Sequence, residues 1–134
     1  MDEFCDAVIE ISKEHDSILI TLEGSDGIAI PYRIKERLGE GRTICFNLGV
    51  IGWLHDGEER TIYFSTPTSF HLVLTAYHFK VIYVDAYLYR EDEPTRDLLN
   101  AILEEGSSQV FTFDREKDFE VAWLNTLVKS SNKV

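Results

Sequence analysis

Three side chains able to carry a proton or a metal follow one another at intervals of seven residues: His71, His78 and Asp85. On a helix seven residues make two turns, about 20° from a common face, so the two imidazoles would line one side. Asp85 falls in the apolar run 80–89 (KVIYVDAYLY), where an ionisable group is costly to bury without a partner. Imidazole and carboxylate are the parts of a metal site or an acid–base pair. They define one functional reading, a small metal-dependent hydrolase or nuclease centred on Asp85 and His78, with His71, Glu91 or Asp56 in support. Two observations weigh against it. Two helical turns separate the rings by about 10.5 Å, and metal-binding helices pair ligands about one turn apart. A strand-borne nuclease site would also want a lysine two residues beyond the acid, and Asp85-Ala86-Tyr87 has a tyrosine there.

The same run offers a second kind of chemistry. As a strand it points Tyr83, Asp85, Tyr87 and Tyr89 to one face and Ile82, Val84, Ala86 and Leu88 to the other. Exposed tyrosines stack bases or sugars, or anchor a protein interface. Base stacking needs accompanying lysine and arginine, but the run continues into Glu91-Asp92-Glu93. A protein interface built from Tyr83, Tyr87, Tyr89, Glu91, Asp92 and Glu93 is therefore the better match of the two. A face covered by helices, with each hydroxyl hydrogen-bonded, is the structural alternative.

The cations gather in one place, Arg33, Lys35, Arg37 and Arg42. Gly39-Glu40-Gly41-Arg42 within this stretch has neither the GxGxxG nor the P-loop spacing of a phosphate cradle. The patch has the charge to pair with 91–93, within one chain or across a dimer. His55-Asp56 lies beside Trp53, but Asp56-Gly57 is already accounted for as a turn, and no serine sits in a nucleophile-elbow setting. Cys5 and Cys45 form no CxxC pair, so two inert thiols are expected rather than a zinc site or a disulfide. No motif calls for a cofactor or a metal.

The balance of 24 acids against 13 bases, a net charge of −11, repels phosphate polymers and anionic membranes. Direct nucleic-acid binding is disfavoured, and a basic protein is the favoured partner. If the acids share one surface, the chain could occupy a groove meant for nucleic acid, as an inhibitor would. There is no apolar run of about 18 residues and no basic leader, so a cytoplasmic protein without a membrane span is expected. Only four asparagines and one glutamine occur, which fits a thermophile's avoidance of heat-labile amides.

These groups need elements to hold them. Alternation predicts a strand over 5–11, with a helix over 2–14 as the rival. A strand over 17–23 turns at Gly24-Ser25-Asp26-Gly27 into a returning strand over 28–32, with Pro31 at its edge. Residues 32–38 read as two turns of helix or a basic loop, and 43–48, 50–55 and 60–65 as further strands about a turn at 56–59. Thr66-Pro67 starts a helix up to His78, preferred to a strand over the same stretch. The central strand 80–89 follows, then a helix over 94–105 closed by Gly106, a short strand 109–113, and a last helix over 116–129 before a frayed tail at 130–134.

The sum is one α+β domain over 1–134. An N-terminal antiparallel meander leads into helix, strand, helix, strand, helix, with the helices packed on a mixed sheet. The leading functional reading is a non-enzymatic acidic protein that acts through protein–protein contact, with itself as a homodimer or with a basic, nucleic-acid-binding partner that it inhibits.

Overall fold

The computed structural model describes residues 1–15, 17–38, 43–47, 51–56 and 61–124. Arg42, residues 57–59 of the expected turn, 125–129 of the expected last helix and the tail at 130–134 lie outside them.

The chain opens with α1 (Asp2–Ser12) and β1 (Ser17–Thr21), followed by α2 (Asp26–Leu38). A three-strand stretch follows, β2 (Thr43–Asn47), β3 (Ile51–Asp56) and β4 (Thr61–Ser65). Next come α3 (Phe70–Ala76), β5 (Val81–Asp85), the short α4 (Ala86–Glu91), α5 (Glu93–Glu105) and β6 (Gln109–Asp114). A single 3-10 turn (Arg115–Lys117) leads to β7 (Glu120–Trp123). The strands form one mixed sheet in the order β2-β3-β4-β1-β5-β6-β7.

An α+β protein with helices on a mixed sheet is thus what the chain builds. Its N-terminal part is not a simple antiparallel meander. β2, β3 and β4 do run antiparallel, but β1 lies parallel to both β4 and β5, and β5 parallel to β6. The centre of the sheet is therefore parallel, and each parallel step is made by a helical crossover.

Five local expectations change. Residues 2–12 are helical because Phe4, Cys5, Val8 and Ser12 share one buried helical stripe, while the apparent alternation would have divided that stripe between two faces. Residues 24–27 do not turn a hairpin. Ser25 accepts from the amides of Ile28 and Ala29, so the turn opens α2, whose Ile30 and Ile34 are fully buried one turn apart. Pro31 sits inside that helix, against the expectation of a strand edge. The run 80–89 stops being a strand at Asp85, whose carboxylate accepts from the Tyr87 amide at 2.9 Å and caps α4. Residues 120–123 are a strand antiparallel to β6, not the start of a helix. The expected α3 and α5 do form, and Asp92 caps α5.

Two apolar layers hold the sheet. On one face α1 and α2 bury Phe4, Cys5, Val8, Ile30 and Ile34 against Ile18, Ile20, Phe64, Val81, Tyr83 and Phe113. On the other, α3 and α5 press Phe70, Val73, Leu74 and Leu99 against Leu19, Ile82, Val84 and Val110. The chain is thus three-layered, with β1 and β5 buried on both faces, which is why their sequences are continuously apolar. No helix among the described residues is long and apolar enough to cross a membrane.

The end of α5 shows how local chemistry sets a boundary. Gly106 adopts φ of +75° as the left-handed C-cap, and nothing lies within 4 Å of where a Cβ would stand. Gly106→Ala should therefore cost about 1–2 kcal/mol from backbone strain alone, read as a shift of the urea midpoint without a change of slope.

Candidate functional site

The parallel part of the sheet reads β4-β1-β5-β6. The chain leaves β1 through α2 towards β4 on one side, and leaves β5 through α4 and α5 towards β6 on the other. Between β1 and β5 the direction of winding reverses. Ligands of open α/β sheets sit in the crevice outside the carboxyl ends of the strands at such a reversal. Here that place holds a solvent-open cavity of about 410 Å³.

Each strand end delivers an acid to it. Beyond β1 come Glu23 and, at the start of α2, Asp26. β5 ends in Asp85 and β6 in Asp114, and Glu116 follows on the 3-10 turn. Glu91 ends α4, which starts at the same end of the sheet, and Asp92 and Glu93 lead into α5. The cavity's cations are Arg90, at the end of α4, and Arg115; Tyr87 and Phe119 complete the lining.

Arg115 ties the carboxylates together. Its Nε stands 2.6 Å from Asp26 Oδ2, and its Nη1 stands 3.1 Å from Glu23 Oε2 and 3.8 Å from Asp85 Oδ2. The contact with Asp26 Oδ2 is an ion pair rather than an aligned hydrogen bond. Asp26 and Asp85 are buried, which makes Arg115 the counter-charge that keeps two such carboxylates tolerable. Asp85 is held on both sides: its amide donates to Thr21 Oγ1 on β1 at 3.0 Å, and its side chain accepts from Tyr87. Burial pushes its carboxyl pKa up, against the pull of the Tyr87 hydrogen bond and Arg115.

The turn that carries Arg115 is itself fixed. Asp114 accepts from the Glu116 amide at 3.0 Å, and its carbonyl accepts from the Phe119 amide at 2.8 Å. Asp118 and Phe119 take the left-handed conformation at φ of 52° and 62°, an uncommon state for such residues. Aromatic packing holds Phe119 there, its ring stacked 5.5 Å from Phe4 and 5.7 Å from Phe113. Such strain occurs where packing over-determines a functional segment.

The sequence-derived candidates are dispersed. Asp85 lies in the crevice, but His78 precedes β5 at the opposite end of the sheet, where its carbonyl accepts from Ser17 Oγ at 3.2 Å. His71 is on α3. Its Nε2 is 2.6 Å from Thr95 Oγ1 and 3.3 Å from Asp92 Oδ2, so it braces α3 to the start of α5. The Thr95 hydroxyl, donating to Asp92, holds that carboxyl below its usual range. Among the described residues no three His, Cys, Asp or Glu side chains are grouped to hold a metal ion.

The tyrosines do not share a face. Tyr83 is buried, edge-on to Phe4 at 5.4 Å and stacked on Phe111 at 5.1 Å, and burial lifts its pKa to about 12. Tyr89 donates to Asn100 Oδ1 at 2.9 Å between α4 and α5. Tyr87 remains open to solvent. Of the cationic patch, Arg33 and Arg37 are on α2 and pair with α1 rather than with 91–93: Arg33 meets Asp2 at 2.6 Å and Arg37 meets Asp6 at 2.6 Å. Lys35 is exposed. Cys5 is buried, with its thiol pushed up to about 11 by desolvation, as an inert sulfhydryl should be.

Glu23, Asp26, Asp114 and Arg115 escaped sequence reasoning as a site. Their common signal is that each of the first three follows an apolar strand run closely (ITLE, the turn after it, and FTFD). That signal acquires meaning once β1, β5 and β6 are known to run parallel. No family model matches this sequence, and no curated protein or solved structure matches it either.

Proposed function

We propose that the chain is a binding protein whose working surface is the acidic crevice at the carboxyl ends of β1, β5 and β6, and that it receives there a lysine or arginine side chain of a basic partner protein. The observation that carries this reading is the convergence of five carboxylates, Glu23, Asp26, Asp85, Asp114 and Glu116, on one cavity against two guanidiniums. The position of Arg115 supports it, because a guanidinium already rests against three of those acids. Glu91–Glu93 at the same end of the sheet extends the field that would steer a basic protein towards it. A second copy of the chain brings the same acids, so a basic partner fits this end better than a homodimer does.

Calorimetric titration with an arginine- and lysine-rich peptide near physiological salt tests it. The wild type should bind with an affinity that falls as salt rises, and Glu23→Gln with Asp114→Asn should weaken binding about tenfold or more. Undiminished affinity in that double variant overturns the reading.

One observation favours a second reading, hydrolytic chemistry at the same place. Asp85 is a buried carboxyl of raised pKa at the point where α/β proteins keep their ligands. In that reading Glu23, Asp26 and Asp114 stand beside Asp85 in place of His78. Turnover of a chromogenic ester or phosphodiester, abolished by Asp85→Asn, would move this reading ahead of the first.

A further inference from the structure

Arg90 is the one cation of the crevice whose guanidinium has no ion pair or hydrogen bond with a described residue. Its backbone carbonyl accepts from Arg96 Nη1 at 2.8 Å. Arg90 is exposed, and the cavity it lines also contains Glu23, Asp85, Asp114 and Glu116. Its backbone is set at the end of α4, and Asp85 fixes the start of that helix through the bond to the Tyr87 amide. Tyr87, one helical turn before Arg90, presents an exposed hydroxyl to the same opening. A guanidinium whose donors meet no described residue, beside a phenol, is a recognition element for an oxyanion.

From this we propose that the crevice reads a pair of charges: a cation on Asp114 and Glu116, the crevice acids with which Arg115 forms no ion pair, and an oxyanion, a carboxylate in the first instance, on Arg90 and Tyr87. The ligand chemistry is that of a basic amino acid with its carboxylate free, as at the C-terminus of a chain ending in arginine or lysine. This rests on the cation-binding reading above and adds the second charge. Arg90 is then the residue that decides specificity.

The test uses a matched pair, L-arginine and its decarboxylated form agmatine, titrated calorimetrically into wild type, Arg90→Ala and Arg90→Lys. Both ligands carry a guanidinium and an ammonium, and only arginine has the carboxylate. Agmatine, with the higher positive charge, has the advantage in the general field of the crevice. Removal of Arg90 should therefore move the ratio of the two dissociation constants about tenfold in agmatine's favour, by weakening arginine alone, and lysine should restore part of it. A ratio that Arg90→Ala leaves unmoved overturns this inference while leaving the cation-binding reading in place. If neither ligand binds wild type at millimolar concentration, both fall.

Discussion

Phe113→Ala lowers the stability of the folded chain by about 3–5 kcal/mol, the range for truncating a fully buried phenylalanine. Phe113 is 1% exposed. Its ring packs 5.1 Å from Phe4 and 5.7 Å from Phe119, so alanine leaves a cavity lined by aromatic rings that cannot close without moving α1. A domain of this size is stable by about 5–15 kcal/mol, so the loss is a large fraction of the whole. Urea unfolding at 25 °C reads it directly. The substitution also has a functional consequence. Phe113 is followed by Asp114 and Arg115, and it braces Phe119 in its left-handed conformation. The variant should therefore bind cationic peptide more weakly even where it is still folded. A loss below about 1 kcal/mol would mean that the aromatic cluster is not what holds the turn.

Asp85→Asn separates stability from function. Asparagine caps α4 as aspartate does, through the same oxygen to the Tyr87 amide, so the fold keeps its local bond. What it removes is a buried charge whose folded pKa is raised above the ordinary 3.8 by desolvation. For such a carboxyl the folded state binds the proton more readily than the unfolded chain. Its contribution to stability is fully present below about pH 4 and declines as pH rises through the raised folded value. Wild type should show that downward slope in the acid range, and the asparagine variant a flatter profile with equal or higher stability at pH 7. Binding should move the other way, with cationic peptide weakened about tenfold or more. Alanine at the same position is the control: it forfeits the cap as well and should cost about 1 kcal/mol. A steep acid slope that survives in Asp85→Asn would assign the titration to another group.

How much was legible depended on the range of the interaction responsible. α5 was readable because its signals are local: Pro94 in the first turn, leucines at helical spacing, and Gly106 in the left-handed cap. β2, β3, β4 and β5 were readable from their strand-like runs, and the preferred helix at α3 formed. The strands preferred over 5–11 and 28–32 were misread, although a helix over 2–14 was the rival reading and 32–38 was open to helix, because short apolar patterns fit both periods. Only the layer that α1 and α2 cover, with Phe4, Val8, Ile30 and Ile34 against β1, selects the helical one. The end of β5 was misread by the same mechanism in reverse. The apolar character of 86–89 comes from α4 packing, in which Leu88 and Tyr89 lean on the second core.

The amino-acid sequence by itself determined that this chain is acidic, globular in composition, and built from helices and strands, and it marked Asp85 as an ionisable group in an apolar run. Only the tertiary structure decided that β1 lies between β4 and β5 and parallel to both. Together with the parallel pairing of β5 and β6, this sets the ends of β1, β5 and β6 side by side. It gathers Glu23, Asp26, Asp85 and Asp114 around Arg115 from positions up to 92 residues apart, and sends His78 to the far end. Parallel pairing depends on contacts between residues remote in sequence, and no local periodicity records it.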